Sequence, residues 1–281
     1  PGVPRNSKSV TGTQTFGTGE TIQTYGGPEI RVSARYLLNP RSSFKLGYNT
    51  LRQYIHMITN STALSPTDIW KLSDPLIKPQ YGQQAAVGFY TQPGTKGVEI
   101  SVEAYYKNSV NYLDYKSGAQ LVLNQQLERD VIGTKGKIYG IELLLKKTAG
   151  KLSGWLGYTY LRTLLKVNDA KAGELINQGK FYPANFDKPH IVNLVANYKF
   201  TQRYSISVTS TYSTGRPVTL PIATYTMAGA PRVFYSERNA FRIPDFFRTD
   251  LSMVIENSHN NKKKVLSSWI FGVYNLTGRD N

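Results

Sequence analysis

Tyr204-Ser205-Ile206-Ser207-Val208-Thr209-Ser210-Thr211-Tyr212-Ser213 is the stretch that decides the fold. Successive side chains of an extended strand point to opposite sides, so Tyr204, Ile206, Val208 and Tyr212 share one face while Ser205, Ser207, Thr209, Thr211 and Ser213 share the other. One face is apolar and the other wet. A tilted strand crosses a bilayer in roughly 9–11 residues and needs two unlike faces when lipid lies outside and water inside. The preceding segment repeats the pattern. Val192, Leu194, Ala196, Tyr198 and Phe200 point one way, and Asn193, Asn197 and Lys199 the other. The link from Phe200 to Arg203 is short enough only for a hairpin.

Working outward, the same period predicts about ten strands in five hairpins. They are Ile30–Leu38 with Ser43–Ile58, Gln83–Thr91 with Gly97–Tyr112, Lys137–Lys147 with Lys151–Leu161, the pair above, and Phe247–Glu256 with Val265–Tyr274. Within the hairpins the turns are short: Asn39-Pro40-Arg41-Ser42, Gln92–Lys96, Thr148-Ala149-Gly150 and Asn257–Lys264. Between hairpins the connections are long: Thr59–Gly82, Leu113–Gly136, Leu165–Pro189 and Gly215–Phe246. Short turns at one rim and long loops at the other describe an all-β antiparallel transmembrane barrel, with its turns in the periplasm and its loops facing outward. Ten strands closed on themselves would make a tube little wider than one filled by its own side chains, so an arc of a larger barrel fits better.

Face assignments follow. Val98, Ile100, Val102, Ala104 and Tyr106 should meet lipid, as should Tyr139, Ile141, Leu143 and Leu145. Glu99, Ser101, Glu103, Tyr105, Glu142, Leu144 and Lys146 then line the lumen. Arg31, Arg35, Lys45, Arg248 and Asp250 also fall on the wet side, where they avoid the ~2–4 kcal/mol that Arg or Lys costs on the lipid face. Tyr36, Tyr106, Tyr158, Tyr160, Tyr198, Tyr204 and Tyr212 read as interfacial girdle residues.

Composition excludes other classes more than it selects this one. No apolar run approaches the ~18 residues of a spanning helix. The formal net charge of +16 invites a nucleic-acid partner, but the cations are dispersed. Their one run, Lys262–Lys264, sits in a hairpin turn, so no nucleic-acid contact is expected. The chain contains no Cys. His56, His190 and His259 lack metal-site spacing. Asp187-Lys188-Pro189-His190 could orient a base, yet no nucleophile motif or phosphate loop accompanies it. His190 reads better as a strand-start residue held by loop hydrogen bonds. Neither an enzyme nor a cofactor is indicated. Glu99 and Glu103, ~13 Å apart on one face, are too distant for a glycosidase pair and suit Arg or Lys partners on adjacent strands or a plug. Arg248 and Asp250 suit either cross-strand pairing or substrate contact. Loop aromatics including Trp70, Tyr115, Phe181, Tyr182, Phe186, Tyr225, Phe234 and Tyr235 could capture a ligand or pack loop against loop.

An ordered set of segments carries a family resemblance. It runs through Gln53-Tyr54-Ile55-His56, Pro66-Thr67-Asp68-Ile69-Trp70, Glu103-Ala104-Tyr105-Tyr106-Lys107, Tyr139-Gly140-Ile141-Glu142 and Gly154-Trp155-Leu156. It continues with Tyr182-Pro183, Gly215-Arg216-Pro217-Val218-Thr219-Leu220-Pro221, Ser236-Glu237-Arg238-Asn239 and Tyr274-Asn275-Leu276. Over nearly its whole length the chain resembles the C-terminal part of the barrel of TonB-dependent outer-membrane receptors of the Bacteroidetes type. The resemblance implies a barrel of about 22 strands closed by an N-terminal plug. It also implies a nutrient ligand bound outside and a TonB complex that pulls on the plug using the proton-motive force. Measured against that pattern, residues 1–281 lack the plug and the final strands, so the chain reads as part of a longer protein. The expected partners are outer-membrane lipid, the protein's own plug, TonB through that plug, and the ligand. Iron chelates, cobalamin, oligosaccharides and peptides all fit such receptors. The substrate-contact candidates are Arg248, Asp250, Glu103 and Glu142 in the lumen and Trp70, Tyr225 and Tyr235 in the loops. A passive porin-like channel and a structural or adhesive barrel remain the alternatives.

Overall fold

The computed structural model describes residues 15–58, 69–94, 97–119, 124, 128, 130–167, 174–256 and 267–281. Its strands are, in order, β1 (Arg31–Asn39), β2 (Ser42–Gln53), β3 (Ile55–Ile58), β4 (Ile69–Leu72), β5 (Gln80–Thr91) and β6 (Val98–Tyr115). β7 (Val131–Lys147), β8 (Leu152–Val167), β9 (Tyr182–Pro183), β10 (His190–Lys199), β11 (Tyr204–Ser213) and β12 (Pro217–Val218) follow. The last are β13 (Pro221–Met227), β14 (Ala230–Tyr235), β15 (Phe241–Arg242), β16 (Phe246–Glu256) and β17 (Ser268–Val273). One antiparallel sheet runs β1-β2-β5-β6-β7-β8-β10-β11-β16-β17, with β9 added beside β8. This is the expected up-and-down meander. Among the described residues it is an open arc with β1 and β17 at its edges.

Directly opposed residues of an antiparallel pair share a face, so the register fixes the wall. Tyr106, Tyr139 and Arg162 form one rung, and Ala104, Ile141, Tyr160 and His190 the next. Leu143, Tyr158, Val192, Tyr212 and Phe247 follow on the same face. The other face carries Arg35 and Lys45 opposite each other, Glu103 opposite Glu142, and Thr209 opposite Asp250. Two aromatic belts bound the apolar face. Tyr204 and Tyr212 mark them on β11, ~27 Å apart along the strand and ~20 Å along the membrane normal after tilt, close to the ~25 Å height of such a band.

The apolar face has no protein to pack against. Leu46, Ile141, Leu143, Leu145 and Leu156 keep 40–58% of their surface exposed. The buried hydrophobic residues instead cluster at the outward end, in two small groups around Ile132, Leu165 and Tyr182 and around Ile58, Ile77 and Val131. A contiguous bare apolar band of this kind is covered by hydrocarbon.

The structure corrects several boundaries. The expected strand Ser43–Ile58 breaks at Tyr54: β2 pairs with β5, whereas β3 turns away to pair with β4. Apolar residues hold even positions at Phe44, Leu46 and Tyr48 and odd positions at Leu51, Ile55 and Met57, and this slip of phase falls just before the change of partner. β6, β7 and β8 run beyond their expected ends at Tyr112, Lys137 and Leu161, to Tyr115, Val131 and Val167. There Val131, Ile132 and Thr134 are all buried, because loops cover both faces of the extension and period two is lost. The connection Gly215–Phe246 contains the hairpin β13–β14, whose tip Ala228-Gly229 takes positive φ at both positions, as a tight hairpin requires. Thr95 and Lys96, the segment Thr59–Asp68 and the stretch Asn257–Leu266, with His259, lie outside the described residues.

Candidate functional site at the outward loops

Three outward connections fold over the lumen side of the β6–β8 extension. β9 pairs Tyr182 with Leu165, which seats its ring with Ile132, Val167, Ile176 and Ala184, while Tyr112 packs alongside. The Tyr182 hydroxyl donates to Asp114. Burial, with the Asp114 carboxylate beside it, pushes the Tyr182 hydroxyl far above the phenolic range, and burial pushes that of Tyr112 up to about 12. Arg238 donates to Asp114 Oδ1 at 3.0 Å and to the Tyr115 carbonyl at 2.6 Å. Asn177 bonds both backbone groups of Arg238, at 2.7 and 3.0 Å. Asn239 donates to the Pro183 carbonyl and to Asn185 Oδ1. Asn177 and Asn239 both have positive φ, which asparagine tolerates better than most residues.

A second clamp lies below. Asp187 is wholly buried. It accepts the Thr163 N–H at 2.7 Å, Arg162 Nε at 3.4 Å and Arg242 Nη2. Arg242 Nη1 also reaches the carbonyls of Asp187 and Gly215, at 2.6 and 2.9 Å. Gly215 has to be glycine here, since a Cβ would stand 1.8 Å from the Ile243 carbonyl oxygen. Asp245 closes the crossing by accepting the Tyr212 hydroxyl at 2.6 Å and the Gly215 N–H at 2.9 Å. Those two bonds hold its carboxyl below the usual range.

The clamps enclose one side of a cavity of about 700 Å³, lined by residues 114–119, 174–177, 216–219 and 235–239 together with Asn185. Its walls present guanidinium, carboxylate, carboxamide, hydroxyl and phenol groups. Arg216 and Glu237 have no ion-pair partner among the described residues. Such a lining suits a polar ligand held by several directed hydrogen bonds.

Of the sequence-derived candidates, Tyr235 and the loop aromatic Tyr115 line this cavity. Tyr225 stands on β13 opposite Arg232, 49% exposed, and Trp70 on β4 is 61% exposed. Arg248 Nε donates to Asp250 Oδ1 at 2.8 Å, and Asp250 also accepts the Asn275 N–H. Glu103 faces Glu142 across β6 and β7. Arg248 and Asp250 on β16 lie four strand spacings, ~19 Å, from Glu142 and one more from Glu103, so the lumen candidates form two places rather than one. Glu99 does pair with a neighbouring-strand lysine, Lys146, at 3.2 Å. The loop aromatics divide between the two readings. Tyr182 is buried packing, whereas Phe181, Phe186 and Phe234 stay exposed.

His190 begins β10. Its N–H donates to Thr214 Oγ1, and its ring contacts Tyr158 and Tyr160. His56 lies 3.1 Å from Ser73 Oγ, but the adjacent Asp74 is committed to the N–H groups of Leu76 and Ile77 and to Lys71, so no relay forms. Among the described residues no group of His, Asp and Glu could hold a metal ion. Sequence reasoning missed Asp114, Arg162 and Arg242, whose partners lie 25 to 124 positions away and leave no local spacing.

A one-sheet wall with a bare apolar band, a charged inner face and outward loops defines an outer-membrane β-barrel protein. The sequence matches the family model described as TonB dependent receptor-like, beta-barrel, over residues 5–276, and the chain belongs to that family. Two solved structures share its fold. The ferric-catecholate import receptor Fiu of E. coli K12 aligns at TM-score 0.55 and 14% identity, covering 89% of this chain and 30% of that receptor. The outer-membrane ferripyoverdine receptor of Pseudomonas aeruginosa aligns at TM-score 0.55 and 16% identity, covering 89% and 29%. The chain thus spans about 30% of the length of the receptors it matches. No curated protein sequence matches closely enough to count as a relative.

Proposed function

We propose that this chain forms part of the wall and of the ligand-capturing cap of a receptor that imports a nutrient across the outer membrane by TonB-driven transport. The observation that carries the reading is the cavity of about 700 Å³ set among three clamped outward loops on the lumen side of a transmembrane sheet. Ligand binds from outside, and the loops hold it above the lumen. Energy delivered to a plug from the periplasm then opens the path past the charged inner face.

The plug is supported by Glu103 and Glu142. Like charges directly opposed destabilise a sheet, and neither carboxylate has an ion-pair partner among the described residues. A cationic surface inside the barrel would offset that repulsion. The structural neighbours are, by their own descriptions, an importer of ferric catecholate and a receptor bound to ferripyoverdine. An iron chelate is therefore the first ligand to try, ahead of cobalamin, oligosaccharides and peptides. With the full-length receptor in cells, dissipating the proton gradient should stop uptake of the ligand while leaving its surface binding intact. Uptake that continues unchanged would identify a passive channel instead.

A further inference from the structure

The outward end of the lipid-facing side carries a cationic patch with no counter-ion among the described residues. β7 and β8 keep an unbroken register from Thr134 opposite Val167 to Lys147 opposite Gly154. Lys135 and Lys137 therefore share the face of Tyr139 and Ile141. Lys166 lies directly opposite Lys135, and Leu164 directly opposite Lys137. Phe181, just ahead of β9, stands under the lysines, with Lys137 Nζ 4.6 Å and Lys166 Nζ 5.8 Å from its ring centre. Arg162, one rung lower, is already committed to Asp187. The three lysines have no carboxylate within ion-pair distance among the described residues.

Two features say what covers this patch. The first is its height. Lys137 and Lys135 stand ~7 and ~13 Å along the strand beyond Tyr139, so tilt leaves them at the level of the headgroup layer, which adds ~5–8 Å to each side of the hydrocarbon. The second is its chemistry. Opposed lysines repel, and a doubly charged phosphate offsets that repulsion through charge-assisted hydrogen bonds. The apolar floor of Leu164 and Phe181 continues into the hydrocarbon-facing wall, which suits an amphiphile better than a free ion.

We infer that Lys135, Lys137 and Lys166 form a binding site for the phosphates of an outward-leaflet glycolipid, seated on Phe181 and Leu164 against the outer surface of the barrel.

The test uses the full-length receptor in detergent and purified lipopolysaccharide, either intact or stripped of its phosphates. A Lys135→Gln/Lys137→Gln/Lys166→Gln variant should bind the intact lipid roughly a hundredfold more weakly at low ionic strength, three surface cations each contributing about fivefold. Lys135→Arg/Lys137→Arg/Lys166→Arg should stay within a few-fold of wild type, which separates lost charge from lost fold. Lys151→Gln/Lys199→Gln at the opposite rim should bind as wild type does. Equal binding by the glutamine variant, or equal binding of the dephosphorylated lipid, would overturn the site. Displacement of the lipid by millimolar inorganic phosphate would reassign it to soluble anions and overturn the lipid as occupant.

Discussion

Asp187 is a tie point of the outward cap, since one buried carboxylate joins β8 to two separate loops. Replacing it with Asn leaves Arg162 and Arg242 facing each other without an anion. The expected cost is roughly 2–3 kcal/mol, below the ~3–5 of a fully buried pair because the two arginines keep 27% and 28% of their surface. Hydrogen exchange should then rise in residues 176–189 and 238–245 and stay unchanged in β10 and β11. His56 sets a second expectation. Its burial outweighs the nearby Asp74 and lowers its pKa from 6.5. The undocked loop then takes up a proton that the docked one resists, so docking of β3–β4 is complete above about pH 6.5 and weakens as pH falls through the lowered value. Faster exchange in Ile69–Leu72 at pH 5 than at pH 7.5, abolished by His56→Gln, is the result to look for. Neither residue was legible as a clamp. Asp187 was visible in the sequence beside His190, but its real partners are arginines fixed by loop crossings that no spacing records.

At the level of elements, legibility followed period two. β10 and β11 could be read almost to the residue because lipid and water demand opposite faces along their whole length. β6–β8 could be read only up to the membrane surface, since Val131–Thr134 is covered on both sides and its hydropathy no longer alternates. β13–β14 went unseen because its strands are exposed at every position but Ala230 and its tip, Ala228-Gly229, is a weak turn signal. The alternation also makes a paired prediction on β7. Leu143→Arg should destabilise the refolded barrel by ~2–4 kcal/mol in urea titration, while Glu142→Gln, one residue away, should cost little. Comparable losses at both positions would mean that the two faces do not meet different solvents.

For the whole molecule, the wall and the cap divide the work. Among the described residues the wall has no buried core of its own and depends on hydrocarbon, whereas the cap has two small buried clusters, two ionic clamps and a cavity. In uptake assays on the full-length receptor, Arg248→Ala should reduce import more than Met253→Ala, since the first faces the lumen and the second the lipid. Equal, negligible effects would count against a lumen role for the arginine.

The chain contains no Cys, so a single cysteine introduced into it for spin labelling meets no competing thiol from residues 1–281. With labels at positions 141 to 145 of β7, in the full-length receptor reconstituted in bilayers, oxygen should collide most with 141, 143 and 145. A water-soluble nickel complex should reach 142 and 144. Loss of that alternation, with all five positions sheltered alike as in a compact soluble core, would contradict the membrane wall on which the rest of the account is built.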